Sequence, residues 1–191
     1  MRRERNLLAL DLAVKLALVA LLLFGTFSGL ERFDGKAMSG RALTYPLVTL
    51  IVPVVWRLWF RRTRYPYALD ILVVLPFLID TAGNALDLYD SLGWWDDANH
   101  LVNWFLLVLG FGQILLRTSL TATVVFGLAA GFGAITHILW EIAEYFAFVR
   151  ANPDEFRTAY TDTVGDLGLS LSGSVLAALV LAAVVRRRSS L

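Results

Sequence analysis

The stretch Thr136-His137-Ile138-Leu139-Trp140-Glu141-Ile142-Ala143-Glu144-Tyr145 carries three ionisable side chains, His137, Glu141 and Glu144, at i, i+4 and i+7. It lies near the end of an apolar run that begins around Leu120. On an α-helix that spacing puts all three groups on one face. An imidazole and a carboxylate one turn apart can chelate a divalent cation, and a second carboxylate nearby can serve as a general base toward a metal-held water. Burying such groups is costly unless they are paired, protonated or bound to a cation, so this row needs partners from elsewhere in the chain.

Three other stretches offer them. Asp97-x-x-His100 and Asp96-x-x-x-His100 pair carboxylate with imidazole at helical spacing; Asp80, Asn84 and Asp87 repeat the i, i+4, i+7 pattern; Asp162 and Asp166 lie one turn apart. So many carboxylates in one apolar layer cannot all stay ionised unaided. The chain has no cysteine, so a metal would be held by oxygen and imidazole, a shell suited to Zn, Mn or Fe. The expected ligands are Asp97, His100, Glu141, Asp162 and Asp166, with Glu141 and Glu144 as the catalytic acids and bases. Asp80, Asn84, Asp87 and His137 complete the polar cluster. Two other readings stand beside this one: protonated acids acting as interhelical glue, and solvated loop charges for Asp87, Asp90 and Asp96. Trp140, Tyr145 and the serines of the last span read as packing and interface residues. No G-x-S-x-G elbow, H-E-x-x-H or phosphate loop is present.

The elements that must position these groups follow from composition. With 58% hydrophobic and 17% charged residues, the chain is excluded from the ordinary soluble class. It reads as an all-α polytopic membrane bundle, one domain over residues 1–191 with its site within 65–185. Six spans are expected, at about Leu7–Phe27, Ala42–Phe60 (with a kink at Pro53), Tyr67–Asp87, Asp96–Arg117, Leu120–Phe148 and Asp162–Val185. A polar link over 28–41 precedes the second span, and a polar loop over 150–161 precedes the last. The first apolar stretch is long, carries Asp11 and Lys15 and lacks an A-x-A site, which favours a membrane helix over a cleaved signal peptide. Asp11 and Lys15, one turn apart, read as a pair whose lysine snorkels to the interface. Gly127, Gly131 and Gly133 read as small residues that let a neighbouring helix approach. The net charge of +1 gives no sign of nucleic acid as a partner. The lipid bilayer itself is the expected partner, and a lipid-like substrate the expected ligand.

Orientation places the acids. Eleven basic residues (Arg2, Arg3, Arg5, Arg57, Arg61, Arg62, Arg64, Arg117, Arg186, Arg187, Arg188) fall on one side, against five (Arg32, Lys36, Arg41, Arg150, Arg157) on the other. The positive-inside rule then puts both termini in the cytoplasm. The acidic ends of the third to sixth spans face outward, converging on the outer third of the bilayer.

The ordered motifs Asp80-x-x-x-Asn84, Trp95-Asp96-Asp97-x-x-His100, Trp140-Glu141-x-x-Glu144-Tyr145 and Asp162-Thr163-x-x-Asp166-Leu167 resemble the YjdF-like family of bacterial inner-membrane proteins, over about residues 65–185. More loosely, a His at a helix start, a later intramembrane Glu and an Asp opening a Gly-rich last helix are similar to the VanZ-like family linked to glycopeptide resistance. These resemblances imply a bacterial plasma membrane and a shared polar cluster, and no particular reaction. From the carboxylate and imidazole cluster itself, the expected activity is a metal-dependent hydrolase or transferase acting on a lipid or envelope amphiphile. A proton- or cation-coupled carrier, or a non-catalytic envelope or resistance factor using the same acids, is the alternative.

Overall fold

The computed structural model describes residues 2–147, 149–151 and 153–189, and among these it is helical, with no strand. Six helical stretches, Arg2–Phe27, Met38–Phe60, Tyr67–Ala85, Trp95–Leu115, Ala122–Ala147 and Phe156–Ser189, are long and apolar enough to cross a membrane. The chain forms two compact units, Met1–Trp95 and Asp96–Leu191.

In the first unit, α1 (Arg2–Phe27) packs against α2 (Met38–Val55) and α3 (Tyr67–Ala85), and α2 packs against α3. α1 buries one stripe, Asp11, Val14, Leu18, Leu22 and Gly25, at spacings of three and four. Leu12, Leu16, Leu23 and Phe27 point outward. Lipid is as apolar as leucine, so the stripe gains packing rather than transfer free energy. Helix α2 begins at Met38, earlier than the expected 42, and contains both Pro46 and Pro53. It leaves α geometry in a π-helical turn at Trp56–Phe60, just after Pro53.

α3 ends at Ala85, and Asp87 takes a left-handed φ of 61° before the short α4 (Leu88–Ser91). Asp87 is thus a turn residue and does not continue the face of Asp80 and Asn84. A short aspartate side chain tolerates that backbone, which removes the expected i+7 member.

The second unit consists of α5 (Trp95–Leu115, from Asp96 onward), α6 (Ala122–Ala147) and α7 (Pro153–Ser189). Its apolar core is Val108, Leu115, Val125, Ala129, Ala177, Ala178 and Leu181, with Phe111 stacked on Phe132 at 4.3 Å. Close approach depends on specific glycines. A methyl group on Gly173 would meet the Leu101 carbonyl oxygen, one on Gly133 the Ser174 side chain, and one on Gly112 the Leu181 side chain. Gly127 and Gly131 face open space, so of the three α6 glycines only Gly133 admits a neighbour within the chain.

α7 is longer than hydropathy suggests. It starts at Pro153, whose fixed φ suits a first helical turn, so Asp162 and Asp166 lie inside the helix rather than at its opening. Polar residues at a helix start lower hydropathy without ending the helix. Asn152 and Phe148 lie outside the described residues.

Candidate metal centre

Each helix of the second unit presents one polar face. On α5 it is Asp96, Asn99, His100, Asn103 and Trp104; on α6, Thr136, His137, Trp140, Glu141 and Glu144; on α7, Asp166, Ser170 and Ser174. These are the i, i+3, i+4 positions that one helix turns toward its neighbours. The glycine contacts bring the three faces together.

His137 is the most enclosed of the ionisable members, 2% exposed. Its ring meets Trp104 edge-on at 4.5 Å and His100 at 5.4 Å, and neither of its nitrogens has a hydrogen-bond partner. Its Nε2 lies 3.4 Å from Glu141 Oε1, which is likewise buried and without a hydrogen bond. Thr163 hydrogen-bonds the Glu141 carboxyl group. Leaving a buried polar atom unsatisfied costs about 1–3 kcal/mol.

His100 is held from two sides. Its ring stacks on Trp104, and the Trp104 indole N–H donates to Thr136 Oγ1 at 3.2 Å. The Ser170 hydroxyl donates to the His100 backbone carbonyl at 3.3 Å, and the same Oγ lies 3.3 Å from His100 Nδ1. With its one proton engaged, Ser170 Oγ accepts from Nδ1–H, which leaves the Nε2 lone pair facing outward. That nitrogen looks at Asp166 Oδ1 (3.5 Å) and Asp96 Oδ1 (3.8 Å). A lone pair facing two carboxylate oxygens is stabilised by a shared proton or a cation between them.

Two sets of ligand atoms each lie within 4.8 Å of one another: His100, His137 and Glu141; and Asp96, His100 and Asp166. Of the expected residues, the structure therefore brings together His100, His137, Glu141 and Asp166, with Asp96 added. Asp97 and Asp162 are exposed and close enough to feel each other's charge. Glu144 is half-buried and within the field of Asp166. Sequence reasoning assigned Ser170 to packing, although its place one turn beyond Asp166 on the same face was a signal. Trp104 and Asn103 were also missed; both follow His100 by one turn.

Asp80 and Asn84 belong to the first unit, where Asp80 is saturated. It pairs with Arg41 and accepts from Tyr45 (2.8 Å), Tyr89 (2.7 Å) and the Asn84 amide (3.4 Å). The sequence reading places Arg41 in the polar link over 28–41, but the early start of α2 brings it into the helix. Asp80 thus has a protein cation of its own.

No curated protein and no solved structure matches the chain. A family model described as a predicted membrane protein (DUF2238) matches residues 13–187, which takes in part of the first helix and all of the second as well as the motifs that resembled the YjdF-like proteins. The chain belongs to this family of predicted membrane proteins.

Proposed function

We propose that the second unit is a divalent-cation centre, with Zn, Mn or Fe held by His100, His137 and Glu141 and with Asp166 and Asp96 near the same His100 Nε2. The observation that carries this reading is the pair of unpartnered atoms His137 Nε2 and Glu141 Oε1, 3.4 Å apart. Hydrogen bonds between charged groups of these types run to about 2.7–2.9 Å. Two ligands each ~2.1 Å from a tetrahedral ion stand about 3.4 Å apart. The spacing suits a shared cation better than a direct hydrogen bond, and His100 and Asp166 repeat it between helices at 3.5 Å.

Such an ion polarises a carbonyl or phosphoryl oxygen and activates water. In this reading Glu144, one turn beyond Glu141, serves as general base, and Asp97 and Asp162 form the rim. Ile138, Leu139, Ile142 and Tyr145 expose apolar surface around the same stretch of α6. A site so flanked suits a lipid or envelope amphiphile whose tails stay in the bilayer, as substrate of a hydrolase or transferase. The family resemblance supports a bacterial plasma membrane, and the basic-residue asymmetry supports cytoplasmic termini.

The test is elemental analysis of the purified protein in detergent. The wild type and Asp80→Asn should retain about one equivalent of metal, whereas Glu141→Gln and His100→Ala should lose it. Metal-free wild-type protein whose melting ignores chelators would sink the reading.

A further inference from the structure

The first unit contains a second buried ionic cluster, built from residues outside the motifs above. Lys15 on α1 contacts Asp11 Oδ2 one turn back on the same helix (3.3 Å) and also Asp70 Oδ2 on α3. The Tyr65 hydroxyl donates to the same Asp70 oxygen. Asp70 is 0% and Asp11 4% exposed. The lysine does not simply snorkel; it is clamped between two carboxylates from different helices.

The charges do not balance. Tyr65 lies outside the spans, and burial, followed by its hydrogen bond to Asp70, holds its phenol well above the ordinary range, so it is a neutral donor. Asp11 and Tyr67 are the other titratable groups in its field. Among the described residues no other charged side chain pairs with Asp11, Lys15 or Asp70, and Glu4 and Arg64 pair with each other at the surface. Two carboxylates against one ammonium leave one uncompensated negative charge in a low-dielectric setting, a costly arrangement.

Geometry shows where the compensation goes. Lys15 and Tyr65 occupy the Oδ2 edges, while Oδ1 of Asp11 and Oδ1 of Asp70 are both buried without a partner. The two carboxyl groups also lie within hydrogen-bonding reach of each other. A divalent ion would overshoot the missing charge and face the lysine ammonium; one unit of positive charge brings the cluster to neutrality. We propose that Asp11 and Asp70, bridged by Lys15, form a binding site for a single monovalent cation, a proton or a sodium ion, between α1 and α3.

The test uses the full-length protein in detergent. Melting is compared in sodium chloride and choline chloride at equal ionic strength, and carboxyl bands are followed by pH-difference infrared spectroscopy. A Glu141→Gln/Asp166→Asn background silences acids of the second unit. A saturable sodium-specific rise in melting temperature, lost in Asp11→Asn and in Asp70→Asn, identifies sodium. No sodium effect, with a protonated-carboxyl band that persists in the background and disappears in either asparagine variant, identifies a proton. Where an asparagine variant does not fold, Asp11→Glu keeps the carboxyl and should shift the band frequency or weaken the sodium response. The absence of both a sodium response and a band that answers to Asp11 or Asp70 overturns the proposal.

Discussion

His137 stands edge-on to Trp104, ring centroids 4.5 Å apart and planes at 80°, while the opposite relation, near-parallel stacking at 8°, joins the same indole to His100. One tryptophan therefore fixes the orientation of both imidazoles. A ring held by packing spends no conformational entropy when it binds an ion, which is the usual purpose of a rigid shell around a metal.

Metal linkage is the first expected outcome. An ion bound only by the folded state stabilises it, by about 2.7 kcal/mol at a free concentration 100-fold above Kd. A chelator should lower the melting temperature of the wild type, and Zn or Mn should restore it. His137→Ala and His100→Ala should each abolish the response.

Ser170 acts through His100 and not on the ion. Ser170→Ala removes the acceptor that holds Nδ1–H and should weaken metal affinity roughly 10- to 100-fold, measured by competition with a chromophoric chelator. A drop in melting temperature with unchanged affinity would assign Ser170 to packing alone.

Asp80 should behave differently. Asp80→Ala removes the carboxylate that pairs with the Arg41 guanidinium and should destabilise the protein by about 3–5 kcal/mol, read from chemical or thermal unfolding in detergent. Tyr89→Phe and Tyr45→Phe should cost about 1.5–3 kcal/mol each, since each removes a hydrogen bond to a charged group. Metal content should not change in any of the three.

The glycines give a contrast within one fold. Gly173→Ala drives a methyl group into the Leu101 carbonyl and should cost about 1–3 kcal/mol while loosening metal binding. Gly131→Ala, with open space before it, should be tolerated.

Topology is checked in a chain that has no cysteine of its own. Single cysteines introduced at Gly93 and Asn152 should react with an impermeant reagent from outside, and those at Thr63, Thr118 and Ser189 only after the membrane is opened. Labelling of Gly93→Cys solely from the cytoplasm would reverse the orientation.

By itself the sequence determined the number and rough position of the spans, because twenty apolar residues in a row have one stable answer in lipid. It also determined that His137 meets Glu141, since i, i+4 neighbours are set by the helix alone. It did not determine helix rotation. A helix apolar all round carries no hydropathy signal for which side is buried, so Gly133 and Gly131 look alike until packing separates them. The pairings that define both clusters are longer in range: Arg41 to Asp80 across 39 residues, Lys15 to Asp70 across 55, His100 to Ser170 across 70. Only the tertiary structure decides these, because in an apolar medium each buried polar group takes whichever partner the packed helices bring within reach.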